Sequence, residues 1–303
     1  MTRSRSRLGT VMLWMTGALL SFSAMAVSIR ELSRTLSVFE MLTIRSAAGL
    51  AILLAVVAVR PDLRAGLRTH KFALHLVRNA IHYAAQYAWA TAITLLPLAT
   101  VFALEFTAPA WGALLAALFL AERLTPSRIG AVVLGFLGVL IIVRPGIASF
   151  HPAALAVLAA AVGYAAASVA TKKLTATDST FTIVFWMNLL QLPMSLAGAD
   201  PAFVTRLGLP QLLPILALAV SGLSAHYCLT NAFRAGDAST VMPFDFLRIP
   251  LIALIGRWLY GEPLELAVFA GAALIISGIS WNLHAETRQA PVRPPGGVGK
   301  SPW

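Results

Sequence analysis

Apolar runs of roughly twenty residues, separated by short polar breaks, recur along the whole chain, and this length crosses a hydrocarbon core of about 30 Å. Runs such as AVVLGFLGVLIIV (131–143) do not alternate apolar and polar positions. That excludes a membrane barrel and makes helices the spanning element. The pattern predicts ten spans, near residues 8–27, 36–59, 73–95, 99–120, 127–143, 152–171, 180–198, 211–233, 238–258 and 264–283. The expected fold class is an all-α integral membrane protein with ten transmembrane helices.

Sliding the chain against itself exposes a repeat. A shift of 140 residues lays ATVFALEFTAPAWGALLAALFLAERL (99–124) on STVMPFDFLRIPLIALIGRWLYGEPL (239–264). Glu105 then falls on Asp245, Phe106 on Phe246, Glu122 on Glu262, Leu124 on Leu264 and, further along, Gly138 on Gly278. A shift of 142 lays IRELSRTLSVF (29–39) on TKKLTATDSTF (171–181). Five spans per half is an odd number, so the second half must enter the membrane in the opposite sense. Two inverted five-helix repeats are expected, with a site between them near the bilayer midplane. The predicted organisation is a cytosolic N-terminus (1–7), a first repeat (8–146), a second repeat (152–283) and a disordered Pro/Gly-rich cytosolic tail (284–303).

Composition and charge refine this picture. Of 303 residues, 58% are hydrophobic and 12% charged, with a mean hydropathy of +0.80, outside the soluble range. The formal charge of +11 does not indicate a nucleic-acid partner, because the basic residues sit in short loops with no aromatic-interleaved basic domain. With Arg3, Arg5, Arg7, Arg60, Arg64, Arg68, Lys71, Arg123, Arg128, Lys172, Lys173 and Arg234 on the inner side, only Arg30, Arg34, Arg144 and Arg206 fall outside. Both termini are therefore expected in the cytosol. The start also resembles a secretory signal, with a basic region, an apolar region and small residues at Ala24–Ala26. The sixth span holds the matching place in the second half, which favours a retained first helix. The tail sequence GVGKS lacks the first glycine of a phosphate loop, Pro294 standing in its place, and is discarded. Cys228 alone gives no disulfide and is expected to be a small packing residue.

The stretch PLATVFALEFTAPAWGALLAALFLAERLTPSRIGAVVLGFLGVLIIVRPG (97–146) resembles the EamA-type half of the drug/metabolite transporter superfamily. AFRAGDASTVMPFDFLRIPLIALIGRWLYGEPLELAVFAGAALIISG (232–278) carries the same acid before a small-residue final helix. The resemblance covers roughly residues 8–283. It implies ten helices in two inverted repeats, a bacterial inner membrane, and a small organic metabolite as cargo: an amino acid, S-adenosylmethionine or a vitamin such as riboflavin. The cargo itself stays open.

Polar residues inside the spans supply the candidate chemistry. In the third span His75, Arg78, Asn79, His82 and Gln86 fall within an arc of about 100°, with Trp89 on the same side. Such a stripe belongs in the bundle interior or a water-filled cavity. For His75 and Arg78, snorkelling to headgroups is the alternative; for His82 and Gln86 it is interhelical hydrogen bonding. Arg45 and Arg248 lie roughly 13 to 15 Å along their helices, near the midplane. Arg248 follows Asp245 by three residues, so an intrahelical pair is available. Glu105 has Ala108 in the corresponding place, and Arg45 or Arg78 are its candidate partners. The substrate-binding or coupling candidates are thus Glu105, Asp245, Arg248, Arg45, His82, Gln86, Arg78, Asn79, Trp89 and, in the eighth span, His226. An arginine capturing an anionic substrate group, a buried carboxylate carrying a proton, and a set of purely structural ion pairs are the three alternatives. Pro109, Pro243 and Pro250 are expected to bend their helices. Glu122 and Glu262 are expected to be solvated at span ends. Gly130, Gly135, Gly138, Gly271 and Gly278 should give smooth packing faces.

A secondary transporter working by alternating access fits duplicated spans with paired intramembrane charges. Motifs of a membrane-embedded enzyme, such as H-E-x-x-H or G-x-S-x-G, are missing from the sequence, so no catalytic residue, metal or cofactor is expected. A receptor or scaffold is the remaining alternative. The expected partners are a small-molecule substrate and the lipid bilayer, with proton coupling as one option, the chain acting as a monomer or homodimer. Direction of transport is not legible.

Overall fold

The computed structural model describes residues 2–120, 125–144, 151–174, 176–235 and 244–289. Among the described residues there are eleven α-helices, two short 3-10 helices and no strand. In chain order the helices are α1 (Thr2–Leu32), α2 (Val38–Val59), α3 (Phe72–Leu95), α4 (Leu98–Glu105), α5 (Ala108–Leu120) and α6 (Pro126–Val143). They continue with α7 (Ala153–Leu174), α8 (Thr180–Leu196), α9 (Leu209–Ala235), α10 (Arg248–Tyr260) and α11 (Leu266–Gln289). Helix α11 thus runs past the expected boundary at 283. Glu122 and Pro243 lie outside the described residues.

The sequence repeat recurs in local structure. Helix α2 starts at Ser37, whose hydroxyl accepts from Glu40 N at 3.3 Å while the Glu40 carboxylate accepts from Ser37 N at 2.7 Å, a capping box. At the 142-residue shift, α8 starts at Ser179, which accepts from Thr182 N at 3.1 Å. The 3-10 helices Pro61–Leu67 and Pro201–Arg206 begin at prolines 140 residues apart. Each follows the second helix of its half.

The fourth helix of each half is broken at the same place. Helix α4 ends at Glu105 and α5 begins at Ala108; in the second half Phe244 and Asp245 are helical, Phe246 and Leu247 form a turn, and α10 begins at Arg248. Thr107 N donates to Leu104 O and Leu247 N to Phe244 O, both at 3.1 Å, so the two turns are built alike. Proline supplies the local cause. Pro109 offers no N–H to the Glu105 carbonyl, nor Pro250 to that of Phe246, so neither helix can continue regularly through its turn.

Packing follows the same exchange. Helix α1 lies along α9 and α3 along α7, two pairings that interchange when the halves are swapped. The pairs α2–α8 and α6–α11 each join a helix to its own counterpart, and α4 meets α10, the later piece of the broken fourth helix in the other half. Helices α6 and α11 approach closely through glycine: a Cβ at Gly138 would lie 2.6 Å from the Gly271 carbonyl oxygen, as expected for small-residue packing between membrane helices. Large side chains turned outward include Leu13, Val59, Leu213 and Trp258, each at least 70% exposed. In water these would be liabilities, but in lipid they are solvated.

Five helices contain segments long and apolar enough to cross a membrane, Gly9–Leu32, Val38–Val59, Pro126–Val143, Ala153–Thr171 and Leu209–Leu229, while Thr180–Leu196 and Leu266–Asn282 are apolar but shorter. The expected spans missing from both groups have physical reasons to be. Helix α3 carries the polar stripe, and the fourth helix of each half is broken into pieces.

Candidate functional site

A cavity of about 400 Å³ lies among α1, α2, α3, α4, α5, α7, α9 and α10. Its walls bring together eight of the residues expected from sequence: Arg45, Arg78, His82, Gln86, Trp89, Glu105, His226 and Arg248. Asn79 and Asp245 stand behind the wall, Asn79 accepting from Arg78 and Asp245 holding Arg248.

Glu105 ends α4 beside the break, and its partners differ from the expectation. Neither Arg45 nor Arg78 reaches it; its carboxylate accepts from the Trp89 indole N–H at 2.7 Å and faces an Arg248 guanidinium nitrogen at 3.7 Å. The break explains this. It sets the first residue of α10 opposite the last residue of α4, which sequence spacing within one half does not foretell. Arg248 also bonds Asp245, the expected intrahelical pair, and its guanidinium lies 4.0 Å from the Phe22 ring centroid, a cation–π contact. It is thus held by two acids and an aromatic face, while its Nε is buried without a hydrogen-bond partner.

The α3 stripe is buried throughout. His75 donates to Asp178 in the α7–α8 loop at 2.6 Å and is fully buried, so it does not snorkel to headgroups. Arg78 is held inside as well, donating to Thr171 Oγ1 at 3.1 Å and Asn79 Oδ1 at 2.7 Å. The Gln191 amide, from α8, donates to His82 Nδ1 at 2.9 Å and to Asn79 Oδ1 at 3.4 Å. Accepting at Nδ1 leaves a neutral His82 with its proton on Nε2. Arg45 is 6% exposed, its Nε has no hydrogen-bond partner, and it forms no ion pair. Gly222 makes room for it, since a Cβ there would lie 2.9 Å from Arg45 Nε. Gln86 Oε1 is likewise buried without a partner.

Several lining residues escaped the sequence expectations: Phe22, Tyr164, Ser168, Thr171 and Leu229. The repeat could have pointed from Trp89 to Leu229, and it organises most of the others. At shifts of 142 and 140, Phe22 matches Tyr164, Met25 matches Ala167, Ile29 matches Thr171, Gln86 matches His226, Trp89 matches Leu229 and Ala108 matches Arg248, and both members of every pair line the cavity. The frame is thus duplicated. The charges are not, because the counterparts of Arg45, Arg78 and His82 are Met187, Leu218 and Gly222.

At one end of the bundle, where α1 and α3 finish, a knot of hydrogen bonds joins the two halves. Arg30 bonds Glu262 at 2.8 Å, Ile93 O at 2.6 Å and Leu96 O at 2.5 Å. Glu262 also accepts from Leu98 N at 2.8 Å. Glu262 is therefore an interior partner and not the solvated boundary group expected, with only 10% of its side chain exposed. Gly261, at φ 66°, makes the left-handed turn that ends α10 and brings Glu262 into this knot.

Known proteins match nearly the whole length of this chain. The EamA-like transporter family matches residues 9–144 and again 151–283. A riboflavin transporter of Rhizobium johnstonii is 32% identical over 91% of this chain and 92% of its own length; one from Vibrio cholerae is 29% identical over 92% and 94%. An S-adenosylmethionine uptake transporter of Rickettsia felis is 25% identical over 91% and 92%. One crystal structure superposes with a TM-score of 0.62 at 19% identity, covering 93% of this chain and 98% of its own, which supports the fold alone. The chain therefore belongs to the EamA-like transporter family, as a multi-pass membrane transporter of a small metabolite.

Proposed function

We propose that the protein is a secondary transporter of the bacterial inner membrane that moves a small organic metabolite by alternating access through the cavity of about 400 Å³. The observation that carries this is the lining of that cavity by matched residues from both halves, which is what a site on the axis between repeats requires. Residues 8–146 and 152–283 act as two inverted five-helix repeats, ten spans in all, with both termini in the cytosol. Helix α1 is retained as one of the spans, since Phe22, Met25 and Ile29 line the site. In this orientation the Arg30–Glu262 knot is an outer seal. The metabolite is amino-acid-like, S-adenosylmethionine-like or vitamin-like, in keeping with relatives named for riboflavin and S-adenosylmethionine, and its handling is transport and not catalysis. The site is complete within one chain, so a monomer suffices, and a homodimer would pair independent sites.

Glu105 is the proposed coupling group. It is the only carboxylate lining the cavity among the described residues, and it holds Arg248 only as long as it is ionised. Taking up a proton would release Arg248 from α4 and loosen the contact between the two broken helices.

The test is flux into proteoliposomes of purified protein, with labelled riboflavin, S-adenosylmethionine and amino acids. At least one compound is expected to move above protein-free vesicles, and Glu105→Gln is expected to abolish pH-gradient-driven accumulation while leaving exchange. If no compound moves, the transporter proposal fails; if the variant still accumulates against a gradient, the coupling role fails.

A further inference from the structure

Three arginines line the cavity, and they are not equivalent. Arg248 is neutralised by Asp245 and Glu105 and covered by Phe22. Among the described residues, neither Arg45 nor Arg78 has a carboxylate partner within ion-pairing distance. Arg78 bonds only neutral oxygens; Arg45, 94% buried, leaves its Nε bare as Arg248 does, but unlike Arg248 has no acid beside it among the described residues. A guanidinium held out of water costs several kcal/mol unless something compensates it. Two of them face one small space whose single lining acid among the described residues, Glu105, is engaged by Arg248, and this leaves their compensation to whatever enters. The same wall adds the His82 Nε2–H as a neutral donor, while the buried Gln86 Oε1 offers an acceptor.

We propose that the transported metabolite is an organic anion, bearing a carboxylate or a phosphate, and that its charged group is bound by Arg45 and Arg78 with His82 as a further donor. The ring or chain that carries the anion lies along Trp89 and Tyr164, the aromatic part of the duplicated frame. This deepens the proposed function and rests on the cavity being the transport site. Anion recognition then belongs to the first half only, since Met187 and Leu218 occupy the matching places in the second. Guanidinium forks suit both oxyanions, because each presents paired oxygens to parallel N–H groups. A cation such as S-adenosylmethionine, whose sulfonium and ammonium outweigh its one carboxylate, is disfavoured in such a cavity.

Binding of matched probes to the purified full-length protein tests this, by calorimetry in detergent. Riboflavin is compared with its 5′-phosphate, nicotinamide with nicotinate, and S-adenosylmethionine serves as the cationic probe. In at least one pair the anionic member is expected to bind at least tenfold more tightly than the neutral one. Arg45→Gln and Arg78→Gln should each remove most of that preference, and Arg45→Lys should retain part of it. The carboxylate and phosphate arms show which oxyanion is preferred. The proposal is overturned if neutral or cationic probes bind as tightly as the anions, if no anionic probe binds, or if both Gln variants keep the preference while folded. Flux of the same probes separates the two levels: a neutral compound that moves while anions do not leaves the transporter standing and removes the anion site.

Discussion

The contact between Trp89 and Glu105 shows how much one side chain decides in this cavity. A half-buried carboxylate accepting from an indole N–H loses that bond when the donor is removed. Trp89→Phe should lower stability by about 1–3 kcal/mol, seen as a lower unfolding midpoint in detergent, whereas Glu105→Gln keeps an acceptor for the indole and should cost less. An unchanged midpoint for Trp89→Phe would show that the bond does not contribute. A second residue acts outside the membrane. Burial alone would raise the Asp178 carboxyl, but hydrogen bonds from His75 and Thr69 outweigh it and hold the group below its ordinary value. A folded-state pKa below the unfolded one gives stability that is present above about pH 4 and lost as pH falls through the folded value. Asp178→Asn should therefore flatten the acid limb of the midpoint between pH 3 and 6; a variant with the same acid limb as the parent would reject the role. The α3 stripe and the Arg248–Asp245 pair were legible in sequence because both depend on helical spacing within one element. The partner of Glu105 was not, because it depends on where two broken helices meet.

At the scale of the element, the two breaks and the glycine faces do opposite things. Breaks free α4 and α10 from regular hydrogen bonding beside the cavity, while glycine locks α6 to α11 at a distance where no side chain fits. Gly138→Val would drive atoms into the Gly271 carbonyl, 2.6 Å from the Cβ position alone. A loss of about 1–3 kcal/mol is expected, measured as a drop in unfolding midpoint, and a variant as stable as the parent would show that the helices can part at little cost. The apolar pattern revealed helices and repeat. It did not show that the fourth helix of each half is two pieces, since an apolar run looks the same whether or not its helix is interrupted, and Pro109 alone is also tolerated in continuous membrane helices.

For the whole molecule, the knot of Arg30 with Glu262 and the backbone of Ile93, Leu96 and Leu98 at one end of the bundle lies next in sequence to Ile29, which lines the cavity, and is the proposed outer seal. Glu262→Ala should open that end. A cysteine at Ile29, in a Cys228→Ser background, should then react severalfold faster with an impermeant maleimide added outside intact cells, and unchanged labelling would remove the seal assignment. The duplicated frame with unduplicated charges has a separate consequence. If the two halves were identical, the forms facing either side of the membrane would be degenerate in free energy. Arg45, Arg78 and His82, without counterparts, lift that degeneracy, and each 1.4 kcal/mol of splitting makes one resting form ten times the more abundant. Apparent affinity scales with the fraction of protein in the competent form, so half-saturating concentrations for entry and exit should differ by the same factor. An uncoupled carrier of this kind rectifies in rate without accumulating anything, and only a driving ion could turn that kinetic bias into a gradient.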